Sequence, residues 1–158
     1  MAAKIELNPC NSLFKDEHVI KIYNFRKEVQ NAKNGGEPLE RCFYTSRFQK
    51  IGLNVYLKGY CEESDGYVCL FFRSTFGSFD DFNKWPMNAK LRFCIFYRKA
   101  NHGTLQLVTT DSTNNAFQRP SKNQENDSWG YAKFMGLDEA SKLVDNDCLS
   151  IKIDIEHM

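Results

Sequence analysis

The sequence predicts an antiparallel β-sandwich, and three observations carry that prediction. The C-terminal stretch "CLSIKIDIE" alternates Leu149, Ile151, Ile153 and Ile155 with Ser150, Lys152, Asp154 and Glu156. One face is apolar and the other polar, the pattern of a half-buried strand. "IGLNVYLK", residues 51–58, repeats the period with Ile51, Leu53, Val55 and Leu57 inward and Asn54, Tyr56 and Lys58 outward. The remaining apolar runs are short and separated by clusters of Gly, Asn, Asp and Pro, which is the spacing of a sandwich built from consecutive antiparallel strands.

In chain order, "HVIKIYNF" (residues 18–25) is the first strand. "NFRKEVQNAKNGG" follows with helix formers, Asn24 placed as N-cap and Gly35-Gly36 as a stop, and predicts one helix. "IGLNVYLK", "YVCLFF", "KLRFCIFYR", "TLQLVTT", "WGYAKFM" and "CLSIKIDIE" supply further strands rich in β-branched and aromatic residues. Tyr56 is expected to be an exposed strand aromatic. A second, short helical turn is expected over Leu137 to Leu143, where helix formers are present but length is not.

At 158 residues, 42% hydrophobic and 14% aromatic, the chain suits one compact domain with a core able to offset the entropy of ordering. We divide it into an N-terminal extension, 1–17, and a folded domain, 18–158. The 21 basic and 20 acidic residues leave a formal charge of +1 and form no long block of one sign, so nothing favours nucleic acid. The N-terminus carries no apolar stretch of signal-peptide length, and the longest apolar run is Tyr67 to Phe72. Neither secretion nor membrane insertion is signalled, and a cytoplasmic location is expected. Cysteines 10, 42, 61, 69, 94 and 148 contain no Cys-x-x-Cys pair and read as reduced thiols, several of them buried. Asn126-Asp127-Ser128 matches a glycosylation sequon by coincidence.

Catalytic chemistry finds little footing. The available imidazoles are His18, at a strand start, His102, in the turn-like "KANHGT", and His157, beside the last residue; each reads as a solvated polar group. The Cys and His spacing assembles no metal site, and no phosphate-binding or dinucleotide fingerprint occurs, so neither a metal nor a cofactor is expected. Asp80-Asp81 and Glu62-Glu63 are sequence neighbours that point apart on a strand, and read as solvated loop charges. An enzyme is not expected.

What remains is a recognition surface at Trp129-Gly130-Tyr131. On a strand the two rings share one face, with Ala132 and Phe134 on the other. Gly130 then leaves room for another backbone to approach, as an added strand requires. The alternative is that both rings are core and Phe134 lies outside.

"FYTSR" (43–47), "NVYLKG" (54–59), "LFF" (70–72), "KWP" (84–86), "AFQRP" (116–120) and "LVDNDCLSIKIDIE" (143–156) occur in one order with sensible gaps. In this the chain resembles the C-terminal, MATH-class domain of the tumour-necrosis-factor-receptor-associated factors over residues 18 to 157. "AFQRP", eight residues, then "WGYAKFMGLDEA" is most similar to the sixth mammalian member, which serves Toll and interleukin-1 signalling. The resemblance implies an eight-stranded antiparallel sandwich, all-β with one short helix after the first strand. It implies binding of short Pro-x-Glu-type peptides, from cytoplasmic tails of TNF, interleukin-1 or Toll-type receptors or their adaptors, beside an edge strand. It also implies a homotrimer in the full-length protein, with any ubiquitin-ligase chemistry in a RING outside this chain.

Carried over by position, the resemblance makes Ser128 to Lys133 the receiving edge. Trp129 and Tyr131, with Val108 beneath, form a slot for the peptide proline. The backbone N–H groups of Asn115 and Ala116 meet the glutamate, and Phe71, Phe93 and Tyr56 support or border the groove. The sequence also departs from the family. Asn114-Asn115-Ala116 replaces a row of serines, and Asn54 replaces the groove arginine, removing a cation and a stacking plane. Lys133, on the face of Trp129 and Tyr131, or Lys58, on the face of Asn54, is expected to supply charge instead. Asp127 replaces a lysine, which weakens any preference for acidic ligands. Two other readings compete: a MATH substrate-recruiting domain of a ubiquitin ligase or deubiquitinase, and a carbohydrate-binding module stacking sugars on Trp129, Tyr131 and Tyr56.

Overall fold

A computed structural model describes residues 15–111 and 113–158. Cys10 and most of the proposed N-terminal extension lie outside the described residues. Eight strands and two helices follow in the order β1 (Lys15–Ile22), α1 (Phe25–Lys33), β2 (Leu39–Tyr44), β3 (Lys50–Tyr56), β4 (Tyr67–Ser74), β5 (Ala89–Tyr97), β6 (Ala100–Val108), β7 (Trp129–Gly136), α2 (Leu137–Ser141) and β8 (Leu149–His157) among these residues. They form two antiparallel four-stranded sheets, β1-β8-β5-β6 and β2-β3-β4-β7. The expected eight-stranded sandwich with one short helix after the first strand is the observed fold.

The alternation read from the sequence is what joins the sheets. Leu149, Ile151, Ile153 and Ile155 are fully buried, as are Ile51 and Leu53, with Val55 and Leu57 almost so. They meet Phe72, Leu91, Phe93 and Phe117 between the layers. Because each sheet presents one apolar and one polar face, this single slab removes most apolar side chains from water.

Periodicity found seven strands and missed β2. Its residues alternate only between half-buried and exposed, so an edge strand of this kind leaves no fully apolar face to detect. β1 starts at Lys15, earlier than the expected boundary. β6 starts at Ala100, after a turn in which Arg98 and Lys99 take φ values of 50° and 62°. That places His102 within β6, opposite Ile95, and not in a turn. His18 is likewise no solvated residue: its ring lies 4.5 Å from that of Phe43, and its Nε2 is buried without a hydrogen-bond partner. Asp80 is buried and accepts the Gly77 N–H at 2.9 Å, so of that pair only Asp81 is a solvated loop charge.

The helix begins where expected, by a different device. Asn24 precedes α1 in a left-handed conformation, φ 55°, and its side chain caps nothing. The cap comes from the turn before β8, where the Asp147 carbonyl accepts the Phe25 N–H at 2.9 Å and its carboxylate accepts the Arg26 N–H at 3.0 Å. A residue 121 positions away does the work usually given to the N-cap, which no local pattern reveals.

Candidate functional site

β7 lies at the edge of its sheet, with β4 on one side. Its register sets the site: Trp129 stands opposite Phe72, Gly130 opposite Phe71 and Tyr131 opposite Leu70. Directly opposed residues share a face, so Trp129 and Tyr131 project on the side of the core residues Phe72 and Leu70. Gly130 falls on the outer face beside Phe71. Neither ring is sealed. Trp129 keeps 51% of its surface exposed, while Tyr131 is partly covered.

Tyr131 is fixed from two directions. Its ring centroid is 5.7 Å from that of Phe93, and its hydroxyl donates to the Gln106 carbonyl at 2.9 Å. Phe93 is 1% exposed, so of the two expected roles, supporting or bordering the groove, its burial leaves it only that of a support beneath Tyr131. The ring beneath Tyr131 is that of Phe93. Val108, 43% exposed, alternates with the buried Leu107 and faces away from the core, so it does not form a floor beneath Tyr131.

The strand does not keep its alternation. The register shifts between Val68 and Leu70, with Tyr131 opposite Leu70 but Met135 opposite Val68, so three residues of β7 face Cys69 alone. Phe134 therefore returns to the core, 5.7 Å from Phe93, instead of facing away from Tyr131. Lys133 is turned to the outer face, its ammonium 5.6 Å from the Tyr67 ring centre, and does not accompany Trp129 and Tyr131. The Cys69 thiol donates to the Ala132 carbonyl at 3.0 Å within the irregularity. Burial pushes that thiol up, as it does for Cys94, which makes both inert structural groups.

Gly130 answers to its own sheet. A Cβ there would collide with the Leu70 carbonyl oxygen and stand 2.9 Å from the Phe71 Cα. The close backbone is that of β4, so the glycine is required before any visiting chain arrives. Ser128 precedes the strand, which begins at Trp129.

On the outer face one row crosses the sheet as Glu40, Asn54, Phe71 and Gly130. Tyr56 and Phe71 meet edge to face at 5.8 Å, and Tyr60 joins both at 5.7 and 5.1 Å. Such tilted contacts are the favourable arrangement for aromatic quadrupoles. Sequence reasoning missed Tyr60, which lies outside any strand; its only local signal is the preceding Gly59 at φ 108°. Asn54 brings no charge to this row. Lys58 pairs with Asp65 at 3.0 Å.

The 3-10 turn at Asn115–Phe117 flanks the entry to β7. Ala116 is fully buried and its N–H donates to the Asn114 side chain at 2.9 Å, so it does not offer a carboxylate site. Asn115 is exposed, and its side-chain oxygen accepts the Asp127 N–H at 2.7 Å. Asn126 is buried and donates to the Ala116 and Gln118 carbonyls at 3.3 and 2.9 Å, which fixes the loop and leaves the sequon nitrogen engaged. Among the described residues no group of three His, Cys, Asp or Glu side chains could hold a metal ion, the five cysteines are free thiols, and no helix is long and apolar enough to cross a membrane.

The family model described as the MATH domain matches residues 17–155. The chain is 23% identical over 145 residues to TNF receptor-associated factor 6 of Danio rerio, covering 87% of this chain and 27% of that protein. It thus spans little more than a quarter of that curated relative. The TRAF5 structure from Notothenia coriiceps superposes with a TM-score of 0.78 at 23% identity, over 90% of this chain and 73% of that one, a likeness of fold.

Proposed function

The chain belongs to the MATH domain family, and from that premise we propose that it is a protein-binding adaptor domain that receives a short Pro-x-Glu-type peptide along the free edge of β7. The observation that carries this reading is the half-exposed Trp129 beside the anchored Tyr131 on a strand with one unpaired edge. Main-chain hydrogen bonds to such an edge are indifferent to sequence, so pockets must choose the ligand. A proline between the indole and the phenol buries apolar surface worth about 1.5–3 kcal/mol. The ligand's glutamate is received near the exposed Asn115, and its outer-face side chains meet Phe71, Tyr56 and Tyr60.

The partners proposed are cytoplasmic receptor tails of the TNF, interleukin-1 or Toll type, or their adaptors, for a domain of residues 18–158 acting in the cytoplasm. A particular likeness to the sixth mammalian member of the receptor-associated factors is part of this proposal, supported by the "AFQRP" and "WGY" segments. Monovalent affinity is weak, because few pockets oppose the entropy of fixing a flexible peptide. Trimeric assembly then raises avidity by roughly 10²–10⁴.

A self-association surface is supported by the exposed rings around the turn after β2. Phe48 is 58% exposed at φ 61°, and the Phe79 ring lies 5.2 Å from it and 6.0 Å from Tyr44. Exposed aromatic clusters of this kind mark interfaces.

Titration of labelled Pro-x-Glu peptides against the wild type and Trp129→Ala tests the groove. Weaker binding by the variant is expected, and equal binding by the two proteins overturns the assignment.

A further inference from the structure

We propose that Arg73 is an anion subsite of the peptide groove, held shut in the free domain by Glu125. The inference rests on the groove reading above. Arg73 follows Phe72, the partner of Trp129, so it lies on the outer face at the Trp129 end of the edge. Its side chain runs over Gly52 of β3: a Cβ there would stand in ordinary contact with the Arg73 Cγ at 3.8 Å and Nε at 3.9 Å, and would crowd Thr75 Cγ2 at 2.8 Å.

Only 13% of the Arg73 side chain is exposed, and two carboxylates hold it, Glu40 at 3.4 Å and Glu125 at 3.2 Å. Both partners are themselves largely in water, at 52% and 78% exposure. A cavity of about 200 Å³ opens there, lined by Glu40, Lys50, Arg73, Pro120, Lys122 and Glu125 among others. Three cations thus border it, and both of its carboxylates are directed at Arg73.

This geometry suits exchange. Arg73 is a preorganised fork that needs an anion, since a poorly solvated cation without one is costly. Glu125 is a replaceable anion, because an exposed carboxylate regains its full hydration on leaving and exposed pairs contribute little. It sits in the loop three residues ahead of Ser128, which Asn126 pins from the inside, so the side chain can swing out without moving the loop. A strand added to the free edge of β7 lies two strand spacings, about 10 Å, from β4. Three or four extended residues at about 3.3 Å each span that distance. A peptide passing Trp129 can therefore place an Asp or Glu side chain into the cavity and displace Glu125. The cation absent from Asn54 is supplied from a different strand.

Fluorescence polarisation with labelled Pro-x-Glu peptides tests this. Each carries a Glu three or four residues outside the proline on its N- or C-terminal side, and each has a Gln-matched control. One Glu peptide should bind the wild type more tightly than its control. Glu125→Gln should tighten that Glu peptide roughly three- to tenfold and leave the control within about twofold. Arg73→Gln should abolish the preference. Should Arg73→Gln fail to fold, judged by melting, Glu40→Gln combined with Glu125→Gln should widen the preference for the Glu peptide beyond that of Glu125→Gln alone, and an unchanged preference overturns the assignment. A preference that survives Arg73→Gln, or Glu125→Gln tightening both peptides alike, overturns the assignment. If Trp129→Ala weakens neither peptide, the groove reading fails and this inference with it; Trp129-dependent binding without an Arg73-dependent acid preference overturns the subsite alone.

Discussion

The Tyr131 ring rests 5.7 Å from Phe93, a residue sealed in the core. An aromatic at the edge of one sheet is thus seated on a ring from the opposite sheet, with its hydroxyl donating a hydrogen bond to the Gln106 carbonyl at 2.9 Å. Rigidity at the edge is inherited from the interior. Tyr131→Phe should lower stability by about 0.5–1 kcal/mol, since the lost bond is near solvent, and should weaken peptide binding through a looser ring. Urea denaturation and peptide titration of the same sample check the two effects.

Gly130→Ala should fail more severely. Its methyl collides with the β4 backbone at Leu70 and Phe71, which cannot rotate aside as a side chain could. A loss of at least about 1–3 kcal/mol is expected, with amide exchange accelerating along β7 and β4. Unchanged exchange protection in both strands would show that the sheet yields freely.

Asn126→Ala removes two hydrogen bonds from a buried side chain, freeing the Ala116 and Gln118 carbonyls. A destabilisation of about 1–3 kcal/mol is expected. The loop ahead of β7 should gain exchange while β8 stays protected.

Stability should fall as pH falls through the histidine range, and His18 sets the sign. Burial lowers the His18 pKa, with the Asp16 charge opposing that shift. The unfolded chain then binds the proton first, so stability is full above the ordinary value of about 6.5 and declines below it until the folded-state value is passed. Asp16 acts in a more acidic window. Burial alone would raise it, but hydrogen bonds from Ser46 and His157 outweigh burial and lower it. Its contribution is present above the ordinary carboxylate value and lost as pH falls through the folded one. Melting temperatures between pH 8 and 5, about the span of interest, should decline in the wild type and flatten in His18→Phe.

Phe48→Asn should keep the fold, because Asn accepts the left-handed backbone that Phe48 adopts at φ 61°. Self-association should weaken in sedimentation runs over a concentration series. Association equal to that of the wild type would place the interface elsewhere.

The sequence by itself determined the layers. Alternation in 149–156 and 51–57 specified which faces meet, because burying one face of a strand leaves no freedom in the other. The tertiary structure decided the site. The irregular register opposite Cys69 sent Phe134 inward and Lys133 outward, reversing what a strict two-residue period implies. Ala116 proved to be a buried donor already engaged, and Tyr60 an unforeseen third ring. Arg73 is held by partners that lie 33 residues before it on β2 and in the loop ahead of β7. Periodicity reports the average direction of side chains along one strand. Where one residue faces three, or a bond joins segments far apart in the chain, direction is settled by packing between strands, and no single strand carries that information.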